Sequence, residues 1–408
     1  MKKYNFYNNL NNLFFKNTVF NKKIKNNRSS FNNVKYVFSI GDIHGDYQTF
    51  KNTILEIGKN KFISNGQNNI FNIYTKNIFD VEFELCTINE YNITNDNFII
   101  LQLGDLFYSA YKYDLTNNEE IKLIFFIFSL FDEFNRINKI NKNCKYIQLL
   151  GNHDILLLAS SKENIVFRHV DYTFNNNNMI ENREIDNIDD FILYDYHNKK
   201  PFEYNKAYQI SNFIKNSLNN IGLIFCKINN VLYTHCFFNS ISLNYLYSLV
   251  LMNKKYITWI KQCMYYNRYN LLLYFYNVIF KNLIKNYYYP MELNVNDVHT
   301  EILKNFKYIA NDLMHNKGNK FSIMNDLNFY FNCKKIIIGH VINTNNLNNE
   351  TCYFNGLIKS LDIGISKKSI DKFKIIRDFD LFFCCQVFNF IYYTKKITFK
   401  EYFYTIKK

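Results

Sequence analysis

The chain has 408 residues, of which 48% are apolar and 19% aromatic. This composition excludes a disordered protein and suffices for the core of one large domain or two ordinary ones. The formal net charge is +14, but its lysines are spread along the chain instead of lying on one element, which argues against a nucleic-acid reader.

The cysteine pattern and the apolar windows bear on location. Nine cysteines include no CxxC pair, and no signal peptide is recognised, so we expect reduced thiols in an intracellular, cytoplasmic protein. The most apolar windows, 123–131 and 381–393, are shorter than the roughly 20 residues needed to span a bilayer. A membrane span is therefore not expected.

The chain begins with an Asn- and Lys-rich segment, and we expect a disordered basic leader over 1–33 and a single domain over 34–408. Within the domain, residues 34–40 predict a buried strand, and 46–58 predict an amphipathic helix that ends with Gly58 as its C-cap. Strand–helix units of this kind are typical of an α/β protein.

The next stretch contains a predicted insertion, because residues 60–96 are polar and suggest a hairpin. A strand over 97–103, a helix over 118–137 and a strand over 145–150 follow. These segments continue the strand–helix alternation.

The second half of the chain changes to hairpins. Residues 223–235 predict one that turns at Asn229-Asn230, and 352–364 predict another that turns at Asn355-Gly356. Between them lie a helical, Tyr-rich insertion over 240–330 and a strand over 334–340. Further strands are predicted near 373–378, 381–393 and 397–405. The whole pattern predicts two packed mixed sheets with helices on their outer faces.

Polar residues gather directly behind the predicted strands, and four of the eight histidines lie there. The clusters are Gly41-Asp42-Ile43-His44-Gly45, Gly104-Asp105, Gly151-Asn152-His153-Asp154, His235 and Gly339-His340. Ligands of α/β sheets bind at the carboxyl ends of strands. Asp, Asn and His offer oxygen and imidazole ligands, which suit Mn, Fe, Zn or Mg better than a thiolate zinc site would. Two such ions could hold a phosphoryl group between them.

This ordered set of motifs resembles the calcineurin-like metallophosphoesterase superfamily, over about 34–393. The resemblance implies a four-layer α/β/β/α sandwich and hydrolysis by a hydroxide that two divalent ions activate. Mn is the expected metal, with Fe, Zn or Mg as alternatives. Asp42 and His44 would bind the first ion and Asp105 would bridge both, while the second ion would be held by Asn152, His235 and His340. His153 would protonate the leaving-group oxygen.

The last motifs indicate a branch of this superfamily. Nucleases and phosphodiesterases usually end in Gly-His-x-His, whereas "GHVIN" contains only His340. The stretch "GLIKSLDIGIS" over 356–366 resembles the serine/threonine phosphatase-like branch, with its Shewanella-like phosphatases and diadenosine tetraphosphatase relatives. Asp154 and Asp362 would support the ligands there, although a turn residue explains Asp362 equally well.

The sequence departs from this branch at "GDLFYSA", where Tyr108 and Ser109 replace an Asp and an Arg. That Asp normally orients the general-acid histidine, and that Arg normally holds the substrate phosphate. Arg268 and Arg168 are the candidates for a replacement phosphate contact, and an ordinary surface role for either stays open.

We therefore expect a metal-dependent phosphatase that acts on a phosphoprotein or a small phosphorylated metabolite. One alternative is a nucleotide or dinucleotide polyphosphate hydrolase that uses the same site. Another is a metal-binding scaffold protein with weak or no turnover. The only partner that the sequence implies is the phosphorylated substrate, with no nucleic acid and no membrane.

Overall fold

The computed structural model describes part of the chain. The described residues are 29–66, 68–78, 81–106, 119–140, 144–151, 154, 174–175, 178–179, 194–195, 200–201, 213–214, 216–235, 273, 277, 324–325, 327–340, 352–353, 356–361, 379–391 and 396–407. None of the helices in these ranges is long and apolar enough to cross a membrane.

Two α-helices and eighteen strands make up the described elements. In chain order they are β1 Ser30–Phe31, β2 Tyr36–Ile40, α1 Tyr47–Gly58, β3 Phe71–Ile78, β4 Val81–Ile88, β5 Phe98–Gln102, α2 Glu119–Ile140, β6 Cys144–Leu149, β7 Phe174–Asn175, β8 Asn178–Met179, β9 Tyr194–Asp195, β10 Lys200–Pro201, β11 Gly222–Leu223, β12 Phe225–Ile228, β13 Val231–Thr234, β14 Lys335–Ile338, β15 Cys352–Tyr353, β16 Ile358–Ser360, β17 Phe379–Ile391 and β18 Lys396–Lys407. A short 3-10 helix covers Glu90–Asn92, and a π-helix covers Leu327–Phe331.

The first sheet has six strands in the order β11-β6-β5-β2-β17-β18. Strands β2, β5 and β6 are parallel, with Ile40 opposite Gln102 and Gln102 opposite Gln148. Strand β17 runs antiparallel to both β2 and β18. The carboxyl ends of β2, β5 and β6 therefore meet at one edge of the sheet.

The second sheet also has six strands, in the order β1-β12-β13-β14-β16-β15. Strands β13, β14 and β16 are parallel, and β12 pairs antiparallel with β13. The carboxyl ends of β13 and β14 consequently lie side by side. The remaining strands form three separate pairs, β3-β4, β7-β8 and β9-β10.

The main core lies between the two sheets, and side-chain alternation explains why. Odd-numbered residues of β5, such as Ile99 and Leu101, pack against Tyr233 and Ile337 of the second sheet. The even-numbered residue Phe98 points the other way and packs against Phe134 of α2, with ring centroids 6.0 Å apart. The strand is buried on both faces, as expected of a parallel strand between two layers.

The prediction of an α/β protein with two mixed sheets is confirmed, and so are both predicted hairpin turns. Strands β12 and β13 join at Asn229-Asn230, where Asn229 has a φ of 56°. Strands β15 and β16 pair around the second turn, where Gly356 has a φ of 80°. The hairpin expected in the polar insertion is β3-β4.

The structure corrects two boundaries. The expected disordered leader extended to residue 33, but Ser30–Phe31 pairs in parallel with β12. A two-residue strand has no periodicity that a sequence could show. Gly58 is the last residue of α1 and not its C-cap, since the cap is Lys59 in a right-handed conformation. Glycine is needed there because a Cβ would lie 2.0 Å from Asn69 Oδ1 and 2.5 Å from the Phe71 ring.

Several predicted segments lie outside the described residues. They include the strand near 373–378 and nearly all of the helical insertion over 240–330. Of that insertion, Asn277 is described, and its amide bonds to the backbone of Ile224 and Phe225. The described helices α1 and α2 pack on the first sheet, so the described residues establish a helix layer and two sheet layers.

Candidate metal centre

Four side chains that could bind a metal converge where the two sheets meet. They are Asp42, Asp105, His235 and His340, and one donor atom of each lies within 4.8 Å of all the others. Asp42 and Asp105 follow β2 and β5 of the first sheet, whereas His235 and His340 follow β13 and β14 of the second. The strand order therefore brings together residues that are far apart in sequence.

His235 is at the centre of this cluster. Its Nδ1 lies 3.0 Å from the Leu103 carbonyl oxygen, which can only accept a hydrogen bond, so Nδ1 carries the proton when the imidazole is neutral. Its Nε2 lies 3.3 Å from Asp105 Oδ2 and 3.1 Å from His340 Nδ1. The backbone N–H of His340 donates to the Asp42 carboxylate at 3.1–3.2 Å. The unprotonated nitrogen of His235 thus faces Asp105 and His340, whereas Asp42 Oδ1 lies 3.5 Å from the protonated Nδ1.

The electrostatics of the cluster favour a positive charge. Asp42, Asp105 and His235 are each at most 2% exposed. Burial lowers the pKa of His235, but the carboxylates of Asp105 and Asp154 and the Leu103 carbonyl together raise it above its ordinary value. Buried carboxylates that draw a proton onto a neighbouring imidazole also provide a favourable place for a cation.

The backbone at this site is unusual. Three of the predicted metal ligands have positive φ, with values of 48° at His44, 51° at Asp105 and 64° at His340. Such conformations persist only where surrounding contacts hold them. Here the N–H groups of Ile43 and His44 both donate to the Asp105 carbonyl, at 3.1 and 2.9 Å, and bind the loop after β2 to the loop after β5.

Gly151 supplies space for Asp105. A Cβ at this position would overlap Asp105 Oδ1 and would also collide with the Asp105 backbone nitrogen. The loop after β6 can therefore approach the carboxylate only because this residue has no side chain.

His44 lies at the margin of the cluster. Its Nε2 is 4.0 Å from Asp42 Oδ2, and its side chain is 16% exposed. His340 is also partly exposed, unlike the buried Asp42, Asp105 and His235. The side occupied by His44 and His340 is consequently the side on which the cluster is accessible to solvent.

Asp154, predicted to support the ligands, is fully buried. Its carboxylate accepts hydrogen bonds from the N–H of Leu106 at 3.0 Å and from the N–H of Gly151 at 2.8 Å. It therefore ties the loop that carries Asp105 to the loop that precedes Asn152.

The other predicted site residues lie outside the described part of the chain. They are Asn152, His153, Arg168, Arg268 and Asp362, together with Tyr108 and Ser109 of the divergent motif. Their predicted roles stay predictions.

A set of polar side chains that the sequence motifs did not indicate lies directly beneath the cluster. Gln102, Gln148 and Tyr146 are buried on the helix-facing side of the first sheet and bond to one another. A signal was present, because Gln102 and Gln148 interrupt two apolar strands shortly before Gly104 and Gly151. Buried polar residues are more informative than the apolar ones around them.

The donor set fits a divalent metal. Two carboxylates and two imidazoles, without a thiolate, suit ions that prefer oxygen and nitrogen ligands. The described residues therefore form a cluster that could hold a metal, and the ligand types are those of the predicted site.

Comparisons with known proteins give distant likenesses. No protein-family model and no curated protein matches the sequence. Two solved structures of a cold-active protein tyrosine phosphatase, one of them a point mutant, align with 91% of this chain and with 82% and 80% of their own, at 14% identity and TM-scores of 0.46 and 0.45. The cold-active protein tyrosine phosphatase of a psychrophilic Shewanella species aligns with 91% of this chain and 82% of its own, at 13% identity and a TM-score of 0.44. The relationship to these phosphatases is distant at most, so the function of this chain has to be inferred from its own site.

Proposed function

We propose that this protein is a metal-dependent phosphoesterase that hydrolyses phosphomonoesters, either of a phosphoprotein or of a small phosphorylated metabolite. The observation that carries the proposal is the buried cluster of Asp42, Asp105, His235 and His340, whose donor atoms lie within 4.8 Å of one another. Burying carboxylates is costly unless they are paired or bind a metal. The convergence of two carboxylates and two imidazoles from four strands is therefore best explained by a bound cation.

The proposed site holds two divalent ions, with Mn as the first choice. Its ligands are Asp42, His44, Asp105, Asn152, His235 and His340. The distance of 4.0 Å between His44 and Asp42 is compatible with a shared role for this pair. The proposed fold is the four-layer sandwich, whose second helix layer would come from the insertion over 240–330.

The metal, when bound, supplies Lewis-acid polarisation of phosphoryl oxygens and lowers the pKa of coordinated water. The chain's own residues do the rest. Asp105 and His235 are held in fixed positions by burial, by the contact between His235 Nε2 and Asp105 Oδ2, and by the hydrogen bond from His235 Nδ1 to the Leu103 carbonyl. The phosphate enters at the accessible side beside His44 and His340, and His153 protonates the leaving-group oxygen. Arg268 or Arg168 contacts the phosphate.

A second candidate function is a metal-binding scaffold protein with little turnover. The sequence at Tyr108-Ser109 favours it, because the acid and the cation that would orient the general acid and hold the phosphate are replaced by neutral residues. Neutral side chains can donate a hydrogen bond to phosphate but cannot supply the charge of a guanidinium.

A turnover assay tests the proposal. The protein is stripped of metal, reloaded with Mn²⁺ and assayed on an aryl phosphate, a phosphopeptide and a dinucleotide polyphosphate. We expect the wild type to hydrolyse a phosphomonoester. In Asp105→Asn the turnover rate should fall roughly 100-fold or more, because the loss of a charged ligand should cost at least as much as the 10–100-fold that mutation of a residue outside the ligand set costs.

Asp96→Asn is the matched control. Asp96 is exposed and pairs with Lys35 far from the cluster, so its loss should change turnover by less than about twofold. Turnover that persists in Asp105→Asn would show that the metal centre is wrongly placed. Mn²⁺ binding without turnover on any of the three substrates would favour the scaffold, and cleavage of the dinucleotide alone would favour the polyphosphate hydrolase.

A further inference from the structure

Gln102 makes a complete set of side-chain hydrogen bonds beneath the candidate metal centre. Its Nε2 donates to the carbonyl oxygens of Gly41 at 3.1 Å and Gly104 at 2.7 Å. Its Oε1 accepts from the N–H of Gly104 at 2.7 Å and from Gln148 Nε2. Both donors and both acceptor positions of the amide are in use, which offsets the burial of a polar side chain with no exposed surface.

Backbone groups fix which way this amide points, and Gln148 and Tyr146 extend the chain of hydrogen bonds. The NH₂ group of Gln148 donates to the Leu149 carbonyl at 2.6 Å and to Gln102 Oε1, which leaves Gln148 Oε1 to accept from the Tyr146 hydroxyl at 2.6 Å. A flipped Gln102 would set its oxygen against the carbonyls of Gly41 and Gly104 and its NH₂ group against the donors of Gly104 and Gln148. The chain of three side chains therefore has a single favourable orientation.

The groups that Gln102 holds are the peptide units next to two candidate ligands. The Gly41 carbonyl belongs to the peptide bond that precedes Asp42, and the Gly104 carbonyl belongs to the one that precedes Asp105. Gly104 has a φ of 110°, a conformation open to glycine because it has no Cβ. One amide thus fixes the backbone from which both carboxylates project.

We propose that Gln102 is a positioning residue for the candidate metal centre, supported by the hydrogen bond from Gln148 and, through Gln148, by Tyr146. It sets the separation of the Asp42 and Asp105 carboxylates by holding the Gly41 and Gly104 carbonyls on one NH₂ group. The inference rests on the proposed function in one respect, namely that these carboxylates bind a metal. Residues outside the ligand set commonly tune metal affinity in this way.

The test measures metal affinity apart from turnover. Mn²⁺ binding to metal-stripped protein is measured by titration calorimetry for the wild type, Gln102→Met and Tyr146→Phe. Methionine keeps the length of the side chain but makes none of the four hydrogen bonds. We expect the Mn²⁺ Kd to rise about 10–100-fold in Gln102→Met and about threefold or more in Tyr146→Phe.

Tyr233→Phe is the matched control for Tyr146→Phe. Tyr233 is also buried and its hydroxyl also donates to a buried glutamine, Gln386, but that pair bonds to Glu401 and not to Gly41 or Gly104. Removal of the Tyr233 hydroxyl should lower the urea midpoint of the metal-free protein about as much as Tyr146→Phe does. The Mn²⁺ Kd of Tyr233→Phe should change by less than about twofold.

The outcomes separate the inference from the proposed function. A wild type that binds no Mn²⁺ removes the metal centre and the inference together. A wild type that binds Mn²⁺, with both variants binding equally well, overturns the inference alone, and so does an equal loss of affinity in Tyr233→Phe. If Gln102→Met does not fold, Tyr146→Phe decides, because it removes a single hydroxyl.

Discussion

At the scale of single residues, the candidate ligands occupy backbone conformations that their side chains do not favour. A positive φ costs a residue with a Cβ roughly 1–2 kcal/mol, and His44, Asp105 and His340 all have one. The bonds from Ile43 and His44 to the Asp105 carbonyl and from His340 to Asp42 offset part of that cost. Ligands held in this way are arranged before a metal arrives, which raises affinity and selectivity.

The fit around Asp105 leads to a prediction for Gly151→Ala. The new Cβ would overlap Asp105 Oδ1, so the carboxylate has to leave its place beside His235. We expect the Mn²⁺ Kd to rise roughly tenfold or more, as measured by titration calorimetry on metal-stripped protein.

Gly66→Ala is the control for this substitution. Gly66 has a φ of 109° and nothing near its missing Cβ, so alanine there introduces backbone strain without touching the site. It should lower the free energy of unfolding by roughly 1–2 kcal/mol and leave Mn²⁺ affinity unchanged. Unchanged affinity in Gly151→Ala would mean that Asp105 is not a ligand.

Local patterns in the sequence were sufficient to select Asp42, Asp105, His235 and His340 as candidates, because each follows an apolar run and most stand beside a glycine, and the structure brings these four side chains together. They were not sufficient to find the role of Gln102. Its partners at Gly41 and in Gln148 lie 61 and 46 residues away, and only the register of β2, β5 and β6 brings them together.

At the scale of elements, the hairpin β3-β4 is part of the folded core and not a loose insertion. Phe83 of β4 packs against Phe125 of α2, with ring centroids 4.7 Å apart. Glu84 of β4 accepts hydrogen bonds from Tyr47 at 2.7 Å and from Lys51 at 2.8 Å, both on α1. The hairpin therefore holds α1, the helix that follows the segment with Asp42 and His44.

The contact between Glu84 and α1 should depend on pH. Burial opposes the charge of Glu84, but the hydrogen bonds from Lys51 and Tyr47 outweigh it and lower its pKa below 4.5. The contact therefore stabilises the fold above about pH 4.5, and this stability is lost as the pH falls through the lowered pKa.

We expect Glu84→Gln to lower the free energy of unfolding by about 1 kcal/mol at pH 7, a value reduced for the partial exposure of the pair. The difference from the wild type should shrink as the pH falls below the Glu84 pKa. Urea unfolding at pH 7 and at successively lower pH measures both. Glu56→Gln, which removes an exposed pair with Lys59, is the control, and a difference for Glu84→Gln that does not change with pH would refute the prediction.

The order and type of the described core elements could be predicted, because their apolar patterns are strong. The predicted helix over 46–58 became Tyr47–Gly58, and the strand over 97–103 became Phe98–Gln102. Features that depend on neighbours far away in the sequence could not be predicted. Ser30–Phe31 is a strand only because β12 lies beside it, and the reason for Gly58 is the space taken by Asn69 and Phe71, 11 and 13 residues further along the chain.

At the scale of the whole molecule, the candidate metal centre joins the two sheets. Asp42 and Asp105 belong to the first sheet and His235 and His340 to the second. A bound ion would therefore hold together the two halves of the core, in addition to any role in chemistry. Loss of the metal should therefore lower the free energy of unfolding of the whole fold.

Metal removal tests this consequence. At a free Mn²⁺ concentration 100 times its Kd, binding should add about 2.7 kcal/mol to the free energy of unfolding, which corresponds to a rise in Tm of a few °C, roughly 2–4 °C. Calorimetry with Mn²⁺ and with EDTA measures it. The rise should be absent in Asp105→Asn and intact in Asp96→Asn, and equal Tm values for the loaded and stripped wild type would contradict it.

The position of β17 between β2 and β18 affects how the chain must fold during synthesis. Strand β2 has β5 on one side and β17 on the other, and Ser39 of β2 lies opposite Cys384. More than 300 residues must be made between these two strands, on the order of tens of seconds at the usual rate of translation. For all of that time, an apolar strand that ends at Ile40, two residues before Asp42, lacks its partner on one edge. Open edges of this kind recruit other strands, so the segment that leads into the candidate metal centre is open to wrong pairing until β17 has been made.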